Sequence, residues 1–555
     1  MPQAARRQAQ PAVPPLKQKL VPAPMGGLNA VSSLAAMPAN DAVMLVNMFG
    51  GDMGLRSRLG YYEHALLGTT EPTVRDTSRV RSLLGFTASL PGDSRLFAAT
   101  VNGIYDVTGS TLGVGAPVAA FPSPAGDAGI GACHVVVTSA GHFLAYTDEV
   151  NGYYLYKSGT WYMVGATGDG VPYMVDVGTT GDQLDPRAAV FCTVWKHRLW
   201  VVERNTANGW YFDLDAIAGP ATKFSFAGKF RNGGHLVGLW SWTFDGGIGP
   251  DDYLVALSSA GDVVVYTGTD PSIPGAFAVK GSYYIGPPPA GRRVATDMGG
   301  DLALIGSNGL VPLSKLVLGS IQGDTTQFPT HKVTPTISRS VSSYGTYEGW
   351  CIKVHPSDNC LMIAIPTDTS DPGQDQLVLS NATKGWATYE GLPIACMESF
   401  QGRLYFGTAD GRICINDGYL DNVLLSDPTT YTEIQFRGIT AFDKYGSLRQ
   451  KRVQFLRCNF TSDGVPPKYM AEARYRFNTT APSGGTTVSK LTGPLWDVAI
   501  WDTDMWPGAQ DFANEQRVVG STGMGAEVAI AFAGKTTTRA VLIGFDVMYD
   551  EGGYF

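Results

Sequence analysis

The sequence predicts an all-β protein: a β-propeller of six to seven blades, a C-terminal β-sandwich-like domain and an extended N-terminal arm. Three observations predict this class. The 68 Gly and 34 Pro residues supply many turns. Charged residues make up only 16% of the chain, whereas about 25% is usual in soluble domains. Short apolar strands rich in Val and Tyr recur in pairs around small polar turns, which favours hairpins over helices.

The chain opens with a Pro- and Ala-rich arm, residues 1–24. This composition favours extended backbone and cannot fill a core. We expect the arm either to stay mobile or to dock on a partner. It lacks the apolar stretch of a secretory signal, and no apolar run in the chain approaches the roughly 18 to 20 residues that cross a bilayer. We therefore expect no stable membrane insertion.

Residues 25–84 form an N-terminal β segment that we expect to contribute to a platform or to close the propeller. Within it, residues 55–59 alternate apolar and polar side chains, as a strand with one buried face requires. Residues 41–49 are a helix-like candidate, too short to organise a domain.

Residues 85–425 repeat a hairpin, and these repeats predict the propeller. Seven copies are present, and one of them could belong to a closing or flanking sheet, so we expect six or seven blades. Asn-Gly and Asp-Gly tolerate the positive φ of tight hairpin turns. The turns recur roughly every 40 to 60 residues, close to the spacing of propeller blades. They lie at Asn102-Gly103, Asn151-Gly152, Asn208-Gly209, Gly261, Asn308-Gly309 and Asp410-Gly411, with a longer loop within 361–379.

Residues 430–555 lose this period and show longer strands. These strands lie within 453–460, 469–477, 528–533 and 540–549. Such lengths suit a β-sandwich or a sheet that joins a neighbouring subunit. We expect a separate C-terminal sandwich or platform domain.

The charge and the cysteines exclude two classes of protein. With 41 basic and 49 acidic residues the net charge is −8, which gives no electrostatic surface for wrapping nucleic acid. The seven Cys residues are scattered without short paired spacing, so a disulfide framework is not expected. The pattern indicates folding under reducing conditions.

Motifs for catalysis, metals and cofactors all have simpler interpretations. Gly534-Lys535-Thr536 resembles the end of a phosphate-binding loop, but a strand follows it and Ala529 stands where the first Gly belongs. Cys351, His355 and Cys360 lack a fourth ligand at zinc spacing. We interpret the first as a hairpin turn and the others as structural, and we expect no catalytic site, no metal and no cofactor.

Sugar hydrolysis is a further function to consider, because some propellers carry it out with paired carboxylates. The segment from Ser380 to Trp386 resembles the Asp-box of such enzymes, but it lacks the Asp and occurs once. We interpret Trp386 as an anchor in a blade core.

An acidic loop could bind Ca²⁺ through oxygen ligands, although its spacing is not that of an EF-hand. The favoured interpretation is a structural loop held by hydrogen bonds to its own backbone. Its residues are Asp245, Gly246, Gly247, Gly249, Pro250, Asp251 and Asp252.

A basic segment could contact a partner or DNA phosphates, because it has six basic residues against one acidic residue. The alternative is a solvated strand edge protected by charge. The basic residues are Arg437, Lys444, Arg449, Lys451, Arg452 and Arg457.

A second candidate surface is a loop with three tryptophans. It could form an exposed binding surface or the underside of a packed loop. The residues are Trp496, Trp501 and Trp506.

Several stretches resemble the tail tube and nozzle proteins of short-tailed, podovirus-type bacteriophages. The opening of that family is similar to Met25-Gly26-Gly27-Leu28-Asn29, residues 37–42, Asn47 and residues 55–64. A second recurring pattern is similar to residues 245–271, Gly291-Arg292-Arg293 and residues 309–314. The arm before Met25 is not part of the family pattern.

The resemblance implies a structural virion protein and not an enzyme. It implies a ring of six copies below the portal and adaptor, which contacts tail fibres or spikes and passes genomic double-stranded DNA through its lumen without sequence-specific binding. The protein would be made in the host bacterial cytoplasm and end in the virion tail, where it would retain the genome and release it on infection. The alternative is a glycan-binding or receptor-binding propeller tail protein. A glycosidase is a less favoured alternative.

Overall fold

A computed structural model describes residues 16–69, 74–164, 184–245, 250–273, 275–317, 328–366, 374–482, 511–513 and 523–553. The chain divides into two compact units. The propeller unit is Arg58–Ile434, and the terminal unit combines Met1–Ser57 with Gln435–Phe555. The N-terminal β segment predicted as residues 25–84 is thus shared between the two units, and the propeller unit begins well before residue 85.

The described residues of the propeller unit form seven blades of three to five strands each. Blade 1 consists of Ser82–Phe86, Arg95–Thr100, Gly103–Asp106 and Ala119–Ala120. Blade 2 consists of Gly131–Thr138, Gly141–Asp148, Gly152–Lys157 and Thr160–Met163. Blade 3 consists of Ala189–Trp195, Arg198–Glu203, Asn208–Phe212 and Ala221–Ser225. Blade 4 consists of Leu236–Asp245, Pro250–Ser258, Asp262–Gly268 and Phe277–Tyr284.

The remaining three blades complete the circle. Blade 5 consists of Ala295–Met298, Asp301–Gly306 and Gly309–Pro312, followed by helices α1, Leu313–Val317, and α2, Thr334–Tyr344. Blade 6 consists of Cys351–His355, Cys360–Pro366, Gln374–Ser380 and Trp386–Tyr389. Blade 7 consists of Cys396–Phe400, Arg403–Gly407, Arg412–Asn416 and Tyr61–Leu67, with Thr111–Val114 beside the last. Short 3₁₀ helices are Pro91–Asp93, Pro186–Ala188, Ala227–Lys229 and His331–Val333.

The blades form a closed ring. The innermost strand of each blade contacts the next blade, and the innermost strand of blade 7 contacts blade 1. Apolar clusters fill the spaces between neighbours; between blades 1 and 2, for example, the rings of Phe97 and Trp161 lie 5.1 Å apart. Edge-to-face packing of this kind stabilises a core beyond the area it buries.

The predicted propeller is confirmed, and the blade number is seven. Six of the seven predicted hairpins supply two inner strands of a blade, and the hairpin at Asn308-Gly309 supplies the last two strands of the three-stranded blade 5. Gly411 shows why glycine is needed at such a turn: its φ is +74°, and an added Cβ would lie 2.0 Å from the carbonyl oxygen of Asp76. One turn is placed differently, because Asn208-Gly209 begins a strand and the positive φ occurs earlier, at Asn205.

A strand from the beginning of the unit completes the last blade. Tyr61–Leu67 pairs antiparallel with Arg412–Asn416, so that Tyr61 is opposite Asn416 and Leu66 is opposite Arg412. Backbone hydrogen bonds therefore join the two ends of the propeller sequence. Closure of the ring also removes the exposed edge that an open array would leave.

A buried ion pair anchors this closing strand. The guanidinium of Arg58 donates to both carboxylate oxygens of Asp421 at 2.8 and 2.6 Å, and it also donates to the carbonyl oxygens of Leu59 and Glu390. Only 1% of Arg58 is exposed. Gly60 follows directly, and a Cβ there would lie 2.0 Å from the carbonyl oxygen of Leu420. The chain is thus held tightly just before it enters blade 7.

The terminal unit contains two sheets. The first contains Lys17–Pro22, Met48–Gly50, Leu55–Ser57, Lys451–Ser462, Asp511–Ala513 and Ala540–Glu551. The second contains Gly27–Leu28, Asp41–Val46, Val528–Thr536, Lys468–Tyr475 and the later part of Thr432–Thr440. Aromatic rings join the sheets, with centroid distances of 5.6 Å between Phe532 and Phe545 and 5.0 Å between Phe460 and Tyr469. The predicted sandwich-like domain is confirmed, and it includes N-terminal strands that were not predicted there.

Two local predictions are corrected in this unit. The helix-like residues 41–49 form the strands Asp41–Val46 and Met48–Gly50, separated by Asn47 at φ +58°. Part of the arm is also a strand: Lys17–Pro22 pairs with residues 544–549 of Ala540–Glu551. In both places, backbone pairing with a neighbouring strand outweighs the weak conformational preference of the local sequence.

Replacing Arg58 with Met should lower the free energy of unfolding by about 3–5 kcal/mol, because Asp421 would stay buried without its partner. Urea unfolding of the full chain, followed by tryptophan fluorescence, measures this change. The matched control is Lys196→Met, which removes an ion pair to Asp252 whose side chains are 32% and 37% exposed. The control should lose less than about 1 kcal/mol, and equal losses in the two variants would contradict the anchoring role.

Candidate functional site

The axis of the propeller contains a cavity of about 270 Å³ lined by the innermost strands of all seven blades. Its charged centre is an ion pair, in which Lys353 Nζ lies 2.8 Å from a carboxylate oxygen of Glu398. Cys133, His134 and Asp297 also line this cavity. We call it the axial channel.

Burial changes the acid–base properties of the groups in the axial channel. It raises the pKa of Cys133 to about 12 and lowers the pKa of His134. Burial opposes the charged form of Lys353, but the neighbouring Glu398 carboxylate reverses this and raises the lysine pKa. At neutral pH the channel therefore holds a charged lysine, a neutral histidine and a protonated thiol.

A second cavity of about 360 Å³ lies where chain segments lead into the innermost strands. We call it the channel mouth. Three arginines line it, Arg79 and Arg81 before blade 1 and Arg293 before blade 5, together with Tyr347. Arg293 also lines the axial channel, so this residue lies where the two cavities meet.

The arginines in and beside the mouth are held to different degrees. Arg81 donates to the carbonyl oxygens of Gly126 and Ala128, the latter at 2.9 Å. Arg292 forms an ion pair with Glu149 and donates to the carbonyl oxygen of Val237 at 2.5 Å. In the part of the chain that the structure describes, the guanidinium of Arg293 has no hydrogen bond or ion pair.

The basic segment predicted from the sequence does not form one contact surface. Lys451 is fully buried, and its Nζ donates to the carbonyl oxygens of Ser447, Arg449 and Ala526 at 2.6, 3.0 and 2.9 Å. Including Lys451 among contact residues was wrong, because the lysine satisfies backbone acceptors inside the terminal unit.

The other members of the segment differ in exposure. Arg457 forms an ion pair with Asp546 across the first sheet, and Arg437 is partly buried. Lys444, Arg449 and Arg452 are exposed. Three of the six predicted residues therefore lie at the surface of the terminal unit.

The acidic loop lies at the hairpin between the first two strands of blade 4. Residues 246–249 lie outside the described part, and Asp245 and Pro250 are paired at the strand ends. Asp252 accepts from Lys196 Nζ at 3.0 Å and from Thr243 Oγ at 2.8 Å. Its carboxylate is thus held by neighbouring side chains.

The other sequence motifs lie in strands. His355 and Cys360 are opposite each other in blade 6, and His355 Nε2 lies 2.9 Å from Asn416 Oδ1. Gly534-Lys535-Thr536 ends the strand Val528–Thr536, directly before the turn. Trp386 is fully buried and donates to the carbonyl oxygen of Pro329 at 2.7 Å. Trp496, Trp501 and Trp506 lie outside the described residues.

Sequence reasoning missed the channel residues. Arg79 and Arg81 lie before blade 1, whereas Lys353 and Glu398 belong to blades 6 and 7, so the spacing of these three segments in the chain carries no common signal. Gly291-Arg292-Arg293 was noticed only as part of a resemblance. A pair of adjacent arginines just before an innermost strand was the one local signal of this site.

Comparison with known proteins gives similarity to solved structures. No protein-family model matches the chain, and no curated protein matches it. The chain is similar to the extracellular domain of a one component system from B. thetaiotaomicron, with 11% identity, a TM-score of 0.34, and coverage of 72% of this chain and 43% of that chain. It is also similar to BBS1N, solved in complex with ARL6DN, with 12% identity, a TM-score of 0.34, and coverage of 64% of this chain and 96% of that chain. Neither likeness bears on function.

Replacing His134 with Gln should reduce the loss of stability on acidification. Because burial lowers the pKa of His134 in the folded state, the unfolded chain binds more protons below about pH 6.5. The stabilising contribution is complete above that pH and is lost as the pH falls toward the folded pKa. Melting temperatures at pH 7.5 and 5.5 measure the effect, and the 78% exposed His197, replaced by Gln, is the control. Identical pH profiles of wild type and His134→Gln would refute this.

Replacing Lys451 with Met should lower the free energy of unfolding of the terminal unit by about 1–3 kcal/mol, because one buried and two partly buried hydrogen bonds to carbonyl oxygens are lost. The neighbouring Arg452 is exposed, so Arg452→Met should change stability by no more than about 0.5 kcal/mol. Urea unfolding of both variants makes the comparison. A Lys451→Met variant as stable as Arg452→Met would show that the buried contacts contribute little.

Proposed function

We propose that this chain is a structural virion protein that forms the ring-shaped tail nozzle of a short-tailed phage. In this proposal six copies surround a channel below the portal and adaptor, with tail fibres or spikes at the side. The ring retains the packaged double-stranded DNA and releases it on infection. The chain itself carries out no catalysis in this role and needs no cofactor.

The observation that carries the proposal is where the family-like residues lie. In the terminal unit, Asn29 Nδ2 donates to the buried carboxylate of Asp41 at 2.7 Å, and a Cβ on Gly26 would lie 2.0 Å from Asp41 Oδ1. The motif around residues 37–42 and the motif around residues 25–29 therefore depend on each other. The residues of both motifs are used for packing within the fold, as is expected of motifs in a structural protein family.

Residues 55–64, a later part of the same family-like opening, show the same pattern. In residues 55–64, Arg58 forms the buried ion pair with Asp421, and Gly60 lies against the backbone of Leu420. Glu63 is 5% exposed and accepts from the guanidinium of Arg412 and the backbone N–H of Leu425. These residues close the propeller, and their side chains are used inside the fold. This supports an architectural role for the motif.

Charge also supports the proposal. The net charge of the chain is −8. A negatively charged lumen would repel DNA phosphates, so the DNA would pass through it without binding. Among the described residues, no helix is long and apolar enough to cross a membrane. The exposed Lys444, Arg449 and Arg452 offer a local basic surface of the terminal unit, which suits an acidic neighbour such as the adaptor.

The assembly state tests this function. We expect the purified full-length chain, or the chain within phage particles, to form a ring with a central hole in two-dimensional cryo-EM averages, with a mass near six copies by mass photometry. A heterologous ring of this kind buries large interfaces on two sides of each subunit. A monomer that is never found in a ring would refute the proposal and favour glycan or receptor binding.

The basic surface gives a second test. Reversing Lys444 and Arg452 to Glu should leave ring formation intact and weaken docking onto particles that lack this protein, because both side chains are exposed. Lys229, exposed in the propeller unit, is the control when changed to Glu. Sedimentation of labelled protein with the particles measures docking. Equal docking of the two variants would exclude the basic surface as the adaptor contact.

A further inference from the structure

We infer that the axial channel of the propeller unit binds a small uncharged polyhydroxylated molecule of the monosaccharide class. The volume of the cavity, about 270 Å³, lies just below the roughly 300–1,000 Å³ that is typical of sites for drug-sized ligands. The channel therefore suits a ligand the size of a single sugar. The inference concerns the propeller unit alone and does not depend on the assembly of several copies.

The charges around the axial channel are balanced, which disfavours an ionic ligand. Lys353 and Glu398 are paired at 2.8 Å, and Arg292 has its own ion pair with a carboxylate behind the channel wall. The two other charged side chains of the lining have opposite signs, because one is Arg293 and the other is Asp297. An anion or a cation in the channel would therefore meet no excess of opposite charge.

Polar side chains of the lining keep their hydrogen-bonding capacity for a ligand. With respect to the described residues, the side chains of His134, Ser241, Thr296 and Asp297 make no hydrogen bond. They come from the innermost strands of blades 2, 4 and 5, so they surround the cavity from several sides.

The chemistry of these side chains selects hydroxyl groups as their partners. Burial lowers the pKa of His134, so its ring is neutral at pH 7 and has one donor and one acceptor. The hydroxyls of Ser241 and Thr296 donate and accept, and the carboxylate of Asp297 accepts. A ligand hydroxyl also donates and accepts, so a molecule with several hydroxyls can satisfy all four side chains.

Trp240 adds an aromatic surface to the same cavity. Its ring lies 5.2 Å from the ring of Phe191, centroid to centroid, at an interplanar angle of 63°, and both residues line the channel. A Cβ added to Gly238 would lie 2.5 Å from the indole, so the indole packs closely on the backbone and is held in place. A sugar has C–H groups on its faces and hydroxyls at its edge, which matches an aromatic surface next to polar groups.

Ligand-observed NMR titration of the full chain tests the inference, with D-glucose, D-galactose and N-acetyl-D-glucosamine as neutral probes. We expect saturable binding of at least one of them. Gluconate and glucosamine are charged probes of similar size, and both should bind more weakly than the best neutral probe. Absence of saturable binding for all three neutral probes would overturn the inference, as would tighter binding of a charged probe.

Variants of the lining locate the binding site. Thr296→Val removes one hydroxyl and keeps the shape of the side chain, so it should weaken binding of the best neutral probe about two- to tenfold. Ser241→Ala makes an independent test on another blade, with the same expected weakening. Thr160→Val is the matched control, because Thr160 is exposed on the outermost strand of blade 2, and it should leave binding unchanged.

The comparison of these variants is decisive when they are folded, which melting temperatures within a few degrees of wild type would show. Weakening by Thr296→Val or Ser241→Ala, but not by Thr160→Val, would support binding in the axial channel. Equal affinities of all three variants would place the sugar elsewhere on the protein and overturn the inference.

Discussion

The closing strand of blade 7 is the constraint on which the propeller unit depends. Tyr61–Leu67 must pair with Arg412–Asn416, although almost the whole propeller sequence separates them. Joining distant segments costs chain entropy, and this cost grows slowly with loop length. The hydrogen bonds of one strand therefore need further contacts to offset it. The buried Arg58–Asp421 pair and the ion pair between Arg412 and Glu63 provide that supplement at the point of closure.

Buried charge in this protein serves architecture. An ion pair out of water is a weak source of net stability, because desolvation offsets much of the attraction. Its geometry is specific, however, and a closing strand in another register would leave Arg58 or Glu63 unpaired. Lys451 has the corresponding role in the terminal unit, where it joins three backbone carbonyls. Arg58 and Glu63, which lie in the motif on which the proposed function is based, thus define strand register here.

The axial channel follows from the same closure. Seven innermost strands can surround an axis only when the ring is complete, and the segments leading into them then bring Arg79, Arg81 and Arg293 to one mouth.

The sequence by itself determined the all-β class, the hairpins that became two strands of every blade, and the long strands of the sandwich. Alternation and turn residues such as Gly411 are local, so they can be read without knowing the fold. Only the tertiary structure decided that Tyr61–Leu67 completes blade 7, that Lys17–Pro22 joins Ala540–Glu551, that Lys451 is buried and that the mouth arginines meet. Each of these depends on backbone groups or side chains far apart in the chain, and a contact of that kind leaves no periodic pattern in the sequence.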